Sequence, residues 1–128
     1  MTRYGLILGA ALLASSCGNG PQDADDAAPE AAKVPAMTPS EEAAARANYA
    51  NLCAHCHGEN LEGGRSKSLV DGIWMYGEDD ERIRANIAAG IPRAGMPGFG
   101  TLIDETELDG MVALIRKAEA ESRQDQGN

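Results

Sequence analysis

A chain of 128 residues with a net charge of −9 has room for one small domain. The acidic balance excludes a nucleic-acid-binding protein, because such a protein needs a basic surface to neutralise phosphates. Aromatic residues make up only 4% of the chain. A small domain with so little aromatic surface is expected to need a staple, such as a large bound cofactor, in addition to its side-chain core.

Residues 1–16 have the pattern of an export signal. Arg3 precedes an uncharged, mostly apolar run over residues 4–14, and small residues follow up to Cys17. The run is too short to span a bilayer. The stretch 13–18 resembles the site at which bacterial lipoproteins are cleaved before a lipidated Cys, with Ala14 where that family prefers Leu. We therefore expect an exported, periplasmic-side protein held at a membrane by lipid on Cys17. Ordinary cleavage nearby, leaving a free Cys17 thiol, is the alternative.

Residues 17–37 are predicted to consist of Cys17, which carries the lipid, followed by a flexible tether. The stretch 18–37 contains three Pro and four acidic residues and shows no helical or strand periodicity. Such a composition buries too little apolar surface to offset the entropy of ordering the chain. Met37, at its end, is not expected to be buried.

The folded domain is predicted to cover residues 38–119 and to be all-α, with three main helices and long loops. Thr38 and Glu41 form a capping box at the start of the first helix. This helix is expected to run to about Cys56 and to stop at Gly58, because Gly commonly ends helices.

Two further helices follow a long irregular segment, 59–78. One is expected over residues 79–89. The other begins at Asp104, where Glu107 completes a second capping box, and fades by about Glu119. Its apolar stripe consists of Leu108, Met111, Val112 and Ile115. Residues 120–128 are predicted to be a polar tail.

The strongest chemical signal is Cys53-Ala54-His55-Cys56-His57. Two thiols three residues apart at a helix end can form thioethers with the two vinyl groups of one haem, and the adjacent His57 can then bind the iron. Cys-x-x-Cys-His is the pattern of covalent haem attachment. Two alternatives are disfavoured. A disulfide redox pair would be expected within a strand–helix–strand unit, which the sequence does not predict, and a zinc site would need further ligands.

A second iron ligand is expected from the loop Gly95-Met96-Pro97. Glycines permit close approach of the backbone, and Pro97 favours an extended conformation at Met96. A Met thioether needs such a presenting loop. Met75 is the rival ligand, but the flanking Trp74 and Tyr76 indicate packing.

From Thr38 to Glu119 the chain resembles a class I cytochrome c. Tyr49 matches the family's first-helix aromatic residue, and Met96 and its neighbours match the ligand loop. Many members have a Pro soon after the His, whose carbonyl accepts a hydrogen bond from the ligand's other nitrogen, but residues 59–68 contain none. A carbonyl near Gly64 is the expected substitute.

The resemblance implies the cytochrome c fold wrapped around one covalently bound haem c, with Cys53 and Cys56 attaching it and His57 and Met96 as axial ligands. It implies an electron carrier rather than an enzyme. Expected partners are a periplasmic dehydrogenase or respiratory-chain donor, and a membrane oxidase or reductase. The alternatives are a haem enzyme or gas sensor with a labile sixth ligand, and a thiol or metal module.

Five side chains are candidate partners of the haem propionates, because buried carboxylates must be paired or hydrogen-bonded. They are Arg65, Lys67, Trp74, Tyr76 and Arg93. For Trp74, packing alone is the alternative role.

Overall fold

The structure is a computed structural model that describes residues 36–127. The predicted export signal, Cys17 and most of the predicted tether lie outside these residues. The described part consists of helices and loops, and its only β-type pairing is an isolated bridge between Ile91 and Met96. The helices are α1 (Pro39–Leu52), α2 (Ala54–His57), α3 (Asp80–Ala89), a 3-10 helix (Pro92–Ala94) and α4 (Glu105–Gln126). The prediction of an all-α fold with long loops is confirmed.

The start of α1 agrees with the sequence, but its end does not. The Thr38 hydroxyl accepts from the Glu41 amide at 3.3 Å, and the Thr38 amide donates to the Glu41 carboxylate at 2.7 Å. The predicted continuous helix to Cys56 is wrong: it breaks at Cys53, whose φ of −117° departs from helical geometry. A separate turn, α2, follows and ends at Gly58 as predicted.

The helices α3 and α4 begin at the predicted caps, Asp79 and Asp104. The predicted end of the last helix near Glu119 is wrong, since α4 continues to Gln126. Residues 120–126 are polar, but they are helical rather than an irregular tail. Glu119 explains the extension, because its buried carboxylate pairs with Arg123 one turn further on.

The core lies on α4, against which both α1 and α3 pack. The four residues of the predicted stripe are buried: Leu108, Met111, Val112 and Ile115. Met37 corrects another expectation, because it is half-buried and packs against this core. It lines a groove with Ala45, whose side chain is small, and Gly110, which has none.

None of the helices in residues 36–127 is long and apolar enough to cross a lipid bilayer.

Candidate functional site

A cavity of about 580 Å³ opens beside the core. This volume is within the usual range for a preformed ligand site. Its apolar walls include Leu69, Ile83, Ile87, Ile91 and Ile115. These residues come from the loop after α2, from α3, from the segment after α3 and from α4. The helix α1 contributes the aromatic ring of Tyr49.

The Cys-x-x-Cys-His segment forms one side of the cavity. Cys53 and His57 line it, and the amide of His57 donates to the carbonyl of Cys53 at 3.0 Å. Cys56 lies in the same helical turn and is half-buried, but it is not among the residues that line the cavity. The break at Cys53 therefore turns the first thiol and the His toward a common space.

His57 is oriented by a single backbone group. Its Nδ1 donates to the carbonyl oxygen of Lys67 at 2.8 Å. In the neutral imidazole this hydrogen bond places the proton on Nδ1, so that Nε2 is the nitrogen that can bind a metal. A backbone carbonyl near Gly64 was expected in this role, and the acceptor is that of Lys67, three residues further on. Gly64 is instead held by its own amide, which donates to Ser66.

Hydrogen bonds connect the end of α2 and the loop that carries Lys67 to the Cys-x-x-Cys-His segment and to α1. The Tyr49 hydroxyl donates to the carbonyl of Gly58 at 2.7 Å, and the Gly63 amide donates to the carbonyl of His57 at 2.7 Å. The amide of Ser66 donates to the carbonyl of Cys56 at 2.9 Å. Burial raises the pKa of Tyr49, with further contributions from Cys53 and Glu62, so this phenol stays a donor at neutral pH.

Met96 lies on a tightly held loop. Its amide and carbonyl both pair with Ile91, at 3.2 and 2.9 Å. The loop runs close to the end of α3, because a Cβ on Gly90 would lie 2.6 Å from the backbone of Gly98. Gly95 has the left-handed φ of +75° that closes the turn before Met96. Close backbone approach holds at Gly98, where a Cβ would lie 2.7 Å from the Ala88 carbonyl oxygen, but not at Gly95, where a Cβ would contact nothing.

Both candidate methionines line the cavity, but in different ways. Met96 is half-buried, and its backbone is pinned on both sides. Met75 is 61% exposed and sits on the loop before α3. A ligand held in place before it binds loses less entropy on binding, so this difference favours Met96.

The Cys53 thiol does not have the character of a redox thiol. Burial, reinforced by Cys56, raises the pKa of Cys53 to about 11. Reactive redox cysteines have lowered pKa values, because the thiolate is the nucleophile. Within residues 36–127, no group of three or more His, Cys, Asp and Glu side chains converges as a metal cluster.

Four of the five candidate propionate partners line the cavity, namely Arg65, Lys67, Trp74 and Tyr76. Arg65 lines it and also donates to His55 Nε2 at 2.6 Å. Tyr76 lines it too, with the guanidinium of Arg93 4.9 Å from the centre of its ring. The exposed Lys67 side chain is also at the rim, although its backbone carbonyl is the group that His57 uses.

Trp74 requires a correction. It lines the cavity, but its indole Nε1 donates to the Glu119 carboxylate at 3.2 Å, so the donor predicted for a propionate already has a partner. Arg116 lies against the same ring, its guanidinium carbon 5.4 Å from the ring centre. Sequence reasoning missed both charged residues. The available signal was that Glu119 stands four residues after Ile115, on the apolar stripe of α4.

These residues fit a covalently attached haem. The largely apolar cavity is lined by His57, whose Nδ1 is held by a backbone carbonyl, and by Met96, whose backbone makes two hydrogen bonds to Ile91. A thiol lines it, and a second thiol stands in the same turn. The fold and this donor set define a c-type cytochrome.

The comparisons with known proteins agree with that class. Residues 40–115 match the family described as cytochrome c oxidase, cbb3-type, subunit III. The match covers more than half of the chain, and the chain belongs to this family. A haem c cofactor follows from the family in general terms.

Similar curated proteins are subunits of cbb3-type oxidases. The chain is 38% identical over 86 residues to the cbb3-type cytochrome c oxidase subunit FixP of Azorhizobium caulinodans, covering 64% of this chain and 28% of the relative. It is 35% identical over 103 residues to subunit CcoP of Rhodobacter capsulatus, covering 75% of this chain and 34% of the relative. The chain thus spans about a third or less of these relatives.

Solved structures show the same fold. Cytochrome cL from Methylophaga aminisulfidivorans superimposes with a TM-score of 0.58 at 19% identity, covering 72% of this chain and 67% of that one. The c-type cytochrome NirC superimposes with a TM-score of 0.54 at 24% identity, covering 65% of this chain and 96% of that one. The cytochrome c fold predicted from the sequence is confirmed.

Replacing Tyr49 by Phe should destabilise the protein by about 1–3 kcal/mol at neutral pH, because the Gly58 carbonyl loses its donor. The raised pKa of Tyr49 adds a pH signature. Above about pH 10 the unfolded tyrosine ionises while the folded one stays protonated, so wild-type stability falls with rising pH. The Phe variant lacks this term. Denaturant titrations should therefore show a gap between the two proteins that narrows above pH 10, and a gap that stays constant would contradict the assignment.

Proposed function

We propose that this chain is an electron carrier that uses one covalently bound haem c. One observation carries the proposal: His57, with its Nδ1 fixed on the Lys67 carbonyl, and Met96, on a pinned loop, line the same cavity. Cys53 and Cys56 would attach the haem. The sequence contains one Cys-x-x-Cys-His motif, which supports a single haem.

The bound haem would supply one-electron redox chemistry. The protein's own contribution would be to hold the haem iron through His57 and Met96 in a cavity with largely apolar walls. A Met and His pair raises the reduction potential. Two protein ligands would also leave no open position for a substrate, and this favours a carrier over a haem enzyme or gas sensor, which would need an open or labile position.

The partners we propose are redox proteins that dock transiently. The similar proteins are named as oxidase subunits, and this supports a membrane oxidase of the same type as the acceptor. A dehydrogenase or respiratory-chain component would be the donor. The surface of Ala94, Gly95 and Pro97 beside Met96 is exposed, and these small residues would allow a partner to approach closely.

We propose an exported protein anchored on the periplasmic side of a membrane. The pattern of residues 1–16 and the third Cys support lipid on Cys17. A lipoprotein Cys carries more than one acyl chain, as stable anchoring requires. The composition of residues 18–37 predicts a tether with a reach of about 25 Å or more. One carrier could then sample neighbouring complexes without leaving the membrane.

Cys53→Ser or Cys56→Ser should prevent accumulation of stable haem-containing protein, because one thioether is lost and the small core loses its staple. The measurement is haem retained after acid–acetone extraction of protein from a host that matures c-type cytochromes. Cys17→Ser is the matched control, since it removes a thiol outside the motif, and it should retain wild-type haem. Retention of haem by the Cys53, Cys56 double variant would contradict covalent attachment.

Met96→Ala should open the sixth position of the iron, lower the reduction potential and let carbon monoxide bind the ferrous form. Met75→Leu, the matched control from the same cavity, should leave the spectrum and the potential as in the wild type. Visible spectra with and without carbon monoxide make the comparison. The opposite pattern would transfer the ligand role to Met75, and carbon monoxide binding by the wild type would favour the enzyme or sensor.

The native N-terminus should be a diacylated or triacylated Cys17. Mass spectrometry of protein extracted from membranes with detergent tests this, and Cys17→Ser should release the protein from the membrane fraction. An unmodified N-terminus at another residue, in protein washed off membranes by salt alone, would point instead to a freely diffusing periplasmic cytochrome.

A further inference from the structure

A buried charge cluster stands behind the Trp74 wall of the cavity. Glu119 is 3% exposed and Arg116 is 8% exposed. Their side chains pair at 3.0 Å. Burying two charges is costly unless their hydrogen-bonding capacity is met. Because this cost is large for a small domain, the two buried charges are expected to have a role beyond stabilising the fold.

The Glu119 carboxylate collects three donors. Arg116 donates to Oε2, while the Trp74 indole and Arg123 approach Oε1, each at 3.2 Å. The Arg123 guanidinium is largely exposed, and the other two donors are on the protein's inner side. One carboxylate thus joins the loop before α3 to α4.

Arg116 connects the same cluster to the start of α3. It donates to the Asp80 carboxylate at 2.7 Å and to the backbone carbonyl of Glu78. Its guanidinium also lies against the Trp74 ring. Burial lowers the pKa of Arg116, but the hydrogen bonds to Asp80 and Glu119 outweigh this and leave the pKa raised, so the group is charged.

The cluster reaches the cavity through two residues. Trp74 and Ile115 both line it, and Ile115 directly precedes Arg116 on α4. The charges of Glu119 and Arg116 therefore lie one side chain away from the cavity, where water screens them poorly. Asp80 and Arg123 are more exposed and are screened better. Two cations, Arg116 and Arg123, balance two carboxylates, Glu119 and Asp80.

We infer that Glu119 and Arg116 are positioning residues for the haem site: they hold the Trp74 indole as a wall of the cavity and set the local charge that the haem experiences. This inference rests on the proposed function. The oxidised haem carries one more positive charge than the reduced haem. The Glu119 carboxylate therefore favours the oxidised form, while the Arg116 cation opposes it. Removing the charge of Glu119 alone leaves Arg116 uncompensated and raises the reduction potential.

The test uses Glu119→Gln, which keeps an oxygen acceptor for the indole but removes the charge. The full-length, haem-loaded variant should keep the wild-type spectrum and have a higher reduction potential in a redox titration. Glu121→Gln is the matched control, because it removes the same charge from an exposed position of α4, and its potential should equal that of the wild type. Equal potentials in the two variants would overturn the electrostatic part of the inference.

A second measurement tests the positioning part. Trp74 is the only tryptophan, so the ¹⁵N indole resonance of the ferrous protein reports this hydrogen bond alone. The indole N–H should exchange slowly with solvent in the wild type and in Glu119→Gln, and rapidly in Glu119→Ala. Rapid exchange in the wild type would overturn the inference without any variant. A preparation that contains no covalent haem would contradict the proposed function instead, and the indole exchange could still be read.

Discussion

The hydrogen bond from His57 to the Lys67 carbonyl is the constraint on which the rest of the site depends. An imidazole can rotate about its side-chain bonds and can carry its proton on either nitrogen. A single backbone acceptor at 2.8 Å removes both freedoms. The loop between α2 and Lys67 positions this carbonyl next to the imidazole.

This loop is held by several hydrogen bonds because it has no regular structure of its own. The Tyr49 hydroxyl on α1 donates to the Gly58 carbonyl, and the amides of Gly63 and Ser66 donate to the carbonyls of His57 and Cys56. Leu61 is buried with a positive φ of 65°, an unfavourable conformation for a branched side chain. The energy of burying this residue and of the surrounding hydrogen bonds offsets that strain, so the loop keeps the geometry that the His requires.

The features that could be predicted from the sequence have local causes. A capping box depends on residues three apart, so Thr38 with Glu41 and Asp104 with Glu107 marked their helix starts correctly. The stripe on α4 likewise follows from the period of the helix. The haem motif and the Met96 loop were recognisable because their chemistry needs particular side chains at short spacing.

The features that were missed depend on groups with no local signature. Every residue has a carbonyl, so nothing in the side chain of Lys67 identifies it as the partner of His57. The break at Cys53 interrupts a run that is otherwise favourable for a helix. Trp74 and Glu119 are 45 residues apart, and only the position of an acid on an apolar stripe hinted at their contact.

The two sides of the cavity are therefore fixed by different kinds of interaction. Next to His57, neutral backbone hydrogen bonds hold the geometry, and they persist through most side-chain substitutions of the loop. Behind Trp74, side-chain charges hold the geometry, and each of them acts on the electrostatics of the cavity as well as on its shape. Ligand orientation and local charge are thus carried by separate parts of the chain. In a carrier of the kind proposed, substitutions around Glu119 could adjust the reduction potential to a new partner while the imidazole stays where the Lys67 carbonyl places it.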